Sequence, residues 1–240
     1  MIEMKECEAI IQKVLTEDRF TMIANEAQQI CNLHNIPTPK SFITMDLNEA
    51  IFRVKEIGFP VVLKIISPQI LHKSDVGGVI LDIRTEEEFR FRYEQLIADV
   101  IRLEPTAKIT GIQIQRMMPA SVEMIVGAIR DRQFGPSIML GIGGIFTEVY
   151  DDVSFRVAPI DRIDALNLIH GLKGSKILQG ARGKPPADIN SIINILVNIS
   201  DLMMEHNTIS QLDLNPVLAY PDSACAVDCR IILEQNEGGQ

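Results

Sequence analysis

The order of apolar patterns along this chain predicts an α+β protein built as two α/β lobes. Three observations carry the prediction. Helical periodicity dominates up to Gly58 and gives way at once to an apolar strand, Phe59 to Ile66; after Pro105 the chain turns into short apolar runs divided by proline or polar turns; and two helical patterns return before a last pair of strands. A chain of 240 residues buries enough surface for one large domain or two lobes sharing a cleft.

Taken in order, Ile10 to Leu15 places apolar residues at helical spacing, and a second helical pattern runs from about Asp18 to His34 through Met22, Ile23, Ala27, Ile30 and Leu33. Asn35-Ile36-Pro37-Thr38-Pro39 breaks it. A shorter helix with Ile51, Val54 and Ile57 on one face stops at Gly58, where glycine suits a helix end. The strand Phe59-Pro60-Val61-Val62-Leu63-Lys64-Ile65-Ile66 follows, then a polar loop, His72-Lys73-Ser74-Asp75-Val76-Gly77-Gly78, and a second strand from Val79 to Ile83. Thr85 and Glu88 have the spacing of a capping box, and open a helix whose stripe is Phe89, Tyr93, Leu96, Ile97, Val100 and Ile101. Strands are expected at Ile109 to Met117, Val122 to Arg130, Ser137 to Ile142, Ile145 to Tyr150 and Val153 to Ala158. Helices are expected at Arg162 to His170 and Asp188 to His206, and final strands at Ser210 to Ala219 and Ala224 to Ile231. The expected lobes are 24–117 and 118–234, with a hinge near Arg116-Met117-Met118-Pro119, an N-terminal helix within 1–23 packing on the second lobe, and a frayed tail at 235–240.

Composition narrows the partners. Hydrophobic residues at 46% and charged ones at 23% fit a folded protein rather than a disordered one. Three Tyr, nine Phe and no Trp leave few stacking surfaces, and a net charge of -9 repels a phosphate backbone, so nucleic acid is disfavoured. No stretch approaches a membrane span, and the N-terminus lacks the basic start and apolar run of a signal peptide, so a cytoplasmic protein is expected. Cys7, Cys31, Cys225 and Cys229 form no C-x-x-C pair and have no histidine at metal spacing; they read as reduced, buried thiols.

Chemistry concentrates in a few places. Lys64 ends an apolar run, where a charge is either partnered by a ligand or snorkels to water. The following loop favours the first reading, because lysine, glycine-freed backbone donors and a histidine are the parts that hold and accept a phosphoryl group. Gly77-Gly78 alone would equally make a hairpin turn. Gly141-Ile142-Gly143-Gly144 either lets backbone approach a ligand or makes a tight connection, and the second is favoured. Leu212-Asp213-Leu214-Asn215-Pro216 puts two oxygen-bearing side chains on one strand face, and Asp228 lies on the next apolar run. If these strands pair, Asn215 and Asp228 meet as Mg²⁺ ligands; the other reading is an Asx turn and an exposed acid. His34, His170 and His206 stand near helix ends and read as structural, and Arg182 sits in a basic solvated loop.

The series Ile36-Pro37-Thr38-Pro39, Gly58 to Lys64, His72 to Val79, Gly127-Ala128-Ile129-Arg130-Asp131, Phe134-Gly135-Pro136 and Asp213-Leu214-Asn215-Pro216, in this order over nearly the whole chain, resembles the ATP-grasp subunit of the nucleoside-diphosphate-forming acyl-CoA synthetases, and most of all the β subunit of the ADP-forming acetyl-CoA synthetases. A more distant similarity is to the nucleotide-binding half of the succinyl-CoA synthetase β subunit. The resemblance implies an ATP-grasp fold, two α/β lobes enclosing a nucleotide cleft. It implies that Lys64 contacts the phosphates, that Gln115, Arg116 and Met117 form the adenine hinge, that Glu123 accepts the ribose hydroxyls, and that Asn215 and Asp228 bind Mg²⁺, with Asp213 assisting.

His72 is the distinctive residue, for in the ADP-forming acetyl-CoA synthetases the histidine of this loop relays a phosphoryl group from an α-subunit histidine to ADP. Imidazole suits that task, being largely neutral near pH 7 and forming a phosphoramidate of high transfer potential. The implied reaction is acyl-CoA, ADP and phosphate going reversibly to acid, ATP and CoA. The His72 loop would have to move, with Ser67, Pro68 and Gln69 at one base. CoA binding and the other phosphohistidine are then expected on a separate α subunit, in an α2β2 assembly, with ATP or ADP as substrate and Mg²⁺ as cofactor. The competing readings are an ATP-grasp ligase that activates its acid directly, without need of His72, and a regulatory nucleotide-binding module.

Overall fold

A computed structural model describes residues 2–70, 73–144, 151–180 and 185–235. Along the chain run α1 (Ile2–Thr16), α2 (Ala24–Leu33), β1 (Ser41–Thr44), α3 (Leu47–Ile57), β2 (Val61–Ile66), β3 (Val79–Ile83), α4 (Glu86–Leu103), β4 (Gly111–Arg116), β5 (Val122–Asp131), β6 (Gly135–Ile142), β7 (Val153–Val157), α5 (Arg162–Gly171), α6 (Ile189–Glu205), β8 (Ile209–Ala219), β9 (Ala224–Ala226) and β10 (Cys229–Leu233), with 3₁₀ turns at Lys73–Val76 and Ser175–Gln179. They form two compact units, one of Ile23–Asn25 and Pro39–Pro119, the other of Met1–Met22, Glu26–Thr38 and Ala120–Gln240. Among the described residues no helix is long and apolar enough to cross a membrane.

The smaller unit is a four-stranded antiparallel sheet, β1-β4-β2-β3, with α3 and α4 against one face. Helix α3 starts because Asp46 accepts the backbone N–H groups of Asn48 and Glu49, and stops at Gly58, whose φ of 78° few other residues adopt cheaply. Thr85 caps α4 by accepting the Glu88 N–H, while Glu88 reaches back to the Arg84 N–H at 3.0 Å. Phe89, Tyr93, Leu96 and Val100 then pack on Val61, Leu63, Ile65, Ile112 and Ile114; Ile101, expected in the same stripe, is exposed. Burying each large aliphatic side chain of this layer is worth roughly 1.5–3 kcal/mol.

In the larger unit six strands form an antiparallel sheet, β10-β8-β5-β6-β7, with β9 paired to β8. Alternation assigns its faces: Met124, Val126, Ala128, Leu212, Leu214 and Ile231 join the core with α1, α2, α5 and α6, while Glu123, Ile129, Asp213, Asn215 and Arg230 look out of the other face. Arg19 couples the first two helices through a two-point pair with buried Glu26, at 2.9 and 2.8 Å.

Several elements differ from the expectations. The second helix begins at Ala24 rather than near Asp18, because Asp18 has φ 54° and the following residues run beside β10, with the Met22 N–H on Ile231 O and the Leu233 N–H on Phe20 O. Residues 26–38, which a boundary at 24 assigns to the first lobe, contribute Ala27, Ile30, Cys31 and Ile36 to the larger unit's core. Strand β1 was unexpected. The single strand expected from Ala224 to Ile231 is two, separated at Val227 and Asp228. The strand expected at 145–150, and Arg182, lie outside the described residues.

Candidate functional site

On β2, Leu63 and Ile65 face the helices, so Lys64 faces the other way. Its register partners are Val79 on β3 and Gln113 on β4. Gln115 lies two residues along, so Lys64, Gln113 and Gln115 share one sheet face, and they are 6%, 0% and 1% exposed. Gln113 donates to Ser41 Oγ at 3.3 Å. Burying one ammonium and two amides on a single face costs several kcal/mol unless polar groups answer them, which is a poor way to build a mere core. Gln113 was not singled out from sequence; the signal was there, in the polar alternation of Gln113 and Gln115 within an otherwise apolar strand.

His72 lies outside the described residues, as does Leu71. Its flanks are anchored. Ser67 Oγ bonds to Gln69 Oε1 at 3.0 Å, Gln69 Oε1 also accepts the Lys108 N–H at 3.2 Å, and Ile70 is buried. Directly after His72 in sequence, the Lys73–Val76 turn is closed by glycine. The Gly77 N–H donates to Ser74 O and the Gly78 N–H to Lys73 O at 2.7 Å. Both amides here close the turn itself, the hairpin alternative of the two readings of Gly77-Gly78. Glycine is required for shape: Gly77 has φ 65°, and a Cβ on Gly78 would stand 2.8 Å from Lys73 O.

In the larger unit, β8 and the bend before β10 bring Asn215 and Asp228 together, the Asn215 N–H donating to Asp228 O at 3.2 Å and the Val227 N–H to Pro216 O at 2.9 Å. The strands pair as the candidate Mg²⁺ site requires. Asp213 lies opposite Arg230 and Gly127. It keeps an exposed edge but lies in a concavity of about 360 Å³ lined also by Met139, Phe155 and Arg230. Displacement of water there pushes its carboxyl above the usual range; Arg230 opposes the rise and the charge of Asp228 adds to it. Asn215 and Asp228 supply hard oxygen donors, and the charge of Asp228 is felt as repulsion by Asp213, which a divalent cation would relieve. This donor set fits Mg²⁺, which takes one or two protein side chains and completes its shell with phosphate and water oxygens.

The remaining candidates fall at strand ends. Arg116 closes β4, exposed, its N–H on Lys40 O; the Met117 N–H donates to Pro60 O at 3.0 Å. Glu123 is exposed near the start of β5. Its carbonyl accepts the Gly143 N–H at 2.7 Å, and a Cβ on Gly143 would stand 2.9 Å from Glu123 Cβ. Gly143 thus continues the β5–β6 pairing where a Cβ has no room, and Gly144 has φ 68°, so backbone shape asks for glycine at both; the connection beyond them lies outside the described residues.

Comparison with known proteins assigns this arrangement to a family. Residues 13–233 match the ATP-grasp domain. The β subunit of acetate–CoA ligase [ADP-forming] I from Pyrococcus furiosus is 46% identical over 224 residues, 93% of this chain and 96% of that one. Among solved structures, the dinucleotide-forming acetyl-coenzyme A synthetase 1 of Ca. Korarchaeum cryptofilum, in complex with coenzyme A, Ca-AMPCP and HgCl⁺, superposes with a TM-score of 0.92 at 44% identity, covering 94% of this chain and 99% of that one. A second structure of that synthetase, holding coenzyme A and Mg-AMPPCP with its phosphohistidine segment pointing towards the nucleotide binding site, gives a TM-score of 0.84 at 41% identity over 95% and 100% of the two chains.

Proposed function

The chain belongs to the ATP-grasp family, as a β subunit of the ADP-forming acetate–CoA ligases, and we propose that its share of that ligase reaction is phosphoryl transfer between His72 and ADP. In the ATP-forming direction an oxygen of the ADP β-phosphate attacks the phosphorus of phosphohistidine, the P–N bond breaks with its electron pair left on nitrogen, and one proton, carried by the other ring nitrogen or taken from solution, makes the freed imidazole neutral. The reverse step phosphorylates His72 from ATP. Acyl-CoA cleavage and the first phosphohistidine belong, on this reading, to a separate CoA-binding subunit, in an α2β2 assembly.

The observation that carries the proposal is Lys64, an ammonium buried on a polar sheet face beside Gln113 and Gln115. A fixed charge held out of water stabilises transferring phosphate oxygens without reorganising during the reaction. Gln115, Arg116 and Met117 take the adenine on this account, and Glu123 the ribose hydroxyls. Asn215 and Asp228, with Asp213 assisting, hold Mg²⁺, which when bound screens the negative charge of the phosphates.

Lys64→Met tests the assignment. It should cut ATP formation by about 10²–10³-fold and weaken Mg-ADP binding by calorimetry, in a variant whose circular dichroism shows it folded. Turnover and ADP affinity equal to the parent would remove Lys64 from the mechanism.

A further inference from the structure

On the helix side of the larger unit, Cys7 from α1, His34 just past α2 and His206 at the C-cap of α6 converge, each offering one ligand atom within 4.8 Å of the other two. We propose that these three side chains, with Glu205 as fourth ligand, form a zinc site that fastens α1 to the C-terminal ends of α2 and α6. It shares no residue with the nucleotide-binding machinery.

The state of each donor supports it. His34 Nδ1 lies 3.0 Å from Ile30 O; a carbonyl only accepts, so Nδ1 carries a proton, and Nε2 is the nitrogen that would ligate. A ligating imidazole is commonly oriented in this way, its other nitrogen donating to a backbone carbonyl. His206 is 5% exposed and its Nε2 is buried with no hydrogen-bond partner, a cost that coordination would remove. Its Nδ1 faces Glu8 at 4.0 Å. Glu205 Oε2 stands 3.4 Å from His34 Nε2, and tetrahedral zinc separates nitrogen and oxygen donors by about 3.3 Å. Closing Cys7, His34 and His206 from their mutual spacing within 4.8 Å needs about 1 Å of side-chain adjustment, and Glu205, which stands outside that cluster, turns in from its exposed position beside His34.

The surroundings suit a cation. Cys7 is fully buried. The Glu205 and Glu8 carboxylates, facing His34 and His206, create a negative potential that attracts a divalent ion. On binding, the S–H proton leaves to solvent and the thiolate sulfur takes its place in the metal's shell. Glu8 and Glu205 are partly exposed, so an ion enters from the surface. Arg130 fixes the frame by donating to Met203 O, His206 O and Ile209 O. One thiolate, two imidazoles and a carboxylate select zinc over the oxygen-seeking Mg²⁺.

Cobalt(II) is the probe. The full-length chain, stripped of metal and kept reduced, should bind one equivalent with the intense visible bands of tetrahedral coordination and a thiolate charge-transfer band, both displaced by Zn²⁺ and protected from Mg²⁺. Cys7→Ser should lose the charge-transfer band, and Cys229→Ser should keep it. Zn²⁺ should also raise the thermal midpoint of the parent, since only the folded chain gathers these ligands. A folded parent without the tetrahedral spectrum overturns the proposal. So does a charge-transfer band that persists in Cys7→Ser; if that variant does not fold, a spectrum unchanged in His34→Gln has the same force.

Discussion

Lys64 and Gly78 stand on either side of the same hairpin and answer to opposite demands. Lys64 is a charge buried within an apolar strand, whereas Gly78 is a shape the fold cannot do without, because Ile65 Cγ2 at 2.7 Å and Lys73 O at 2.8 Å occupy the space a side chain would need. Gly78→Ala should therefore cost about 1–3 kcal/mol, read as a lower urea midpoint, the usual range for forcing a methyl into packed surroundings. An unchanged midpoint would mean that the turn yields. The two residues also differ in how openly the sequence displays them. A lysine inside Val61–Ile66 announces itself against its apolar neighbours, while a Gly-Gly pair reads the same whether its amides serve a ligand or, as here, their own turn.

Among the elements, those with local signals were legible and those made by distant partners were not. Helix α4 follows from Thr85, Glu88 and its apolar stripe, and α6 from Asp188 and a strongly one-sided pattern. By contrast β1 is four residues long and exists through its pairing with β4, and α2 loses its expected first turns to a bridge between Thr21 and Ile232. Tertiary pairing there overrode local periodicity. The Asp188 cap also yields a pH prediction. Its carboxylate accepts from Ser191 and from the Asn190 N–H, which hold its pKa below the ordinary value. A folded-state pKa depressed in this way contributes stability above the unfolded value, near 3.9, and loses it as pH falls through the folded one. Asp188→Asn keeps an acceptor but not the charge, so the parent's advantage in denaturant midpoint should be present at pH 7 and be lost as the pH falls from the unfolded value through the lowered folded one. An advantage that persists in acid would assign the effect to geometry instead of charge.

For the whole molecule, the sequence displayed one candidate site and hid another. Lys64, Asn215, Asp213 and Asp228 were readable because polar residues interrupt apolar strands, and the β8–β10 register then brought the last three onto neighbouring positions. Cys7, His34 and His206 carry no such signal. They are far apart in the chain, Cys7 reads as a buried thiol inside α1 and the two histidines as ordinary helix-end residues, and only the packing of three helices gathers them. His72 is the hinge of the functional account and stands between two anchored flanks, Ser67 to Ile70 and the Lys73–Val76 turn. The direct test of that account is phosphate labelling of His72: incubate the chain with γ-labelled ATP and Mg²⁺, alone and with its partner subunit, beside a His72→Ala control. An acid-labile, base-stable label that is absent from the variant is the predicted result. Nucleotide binding without any such label, in either setting, would contradict the relay.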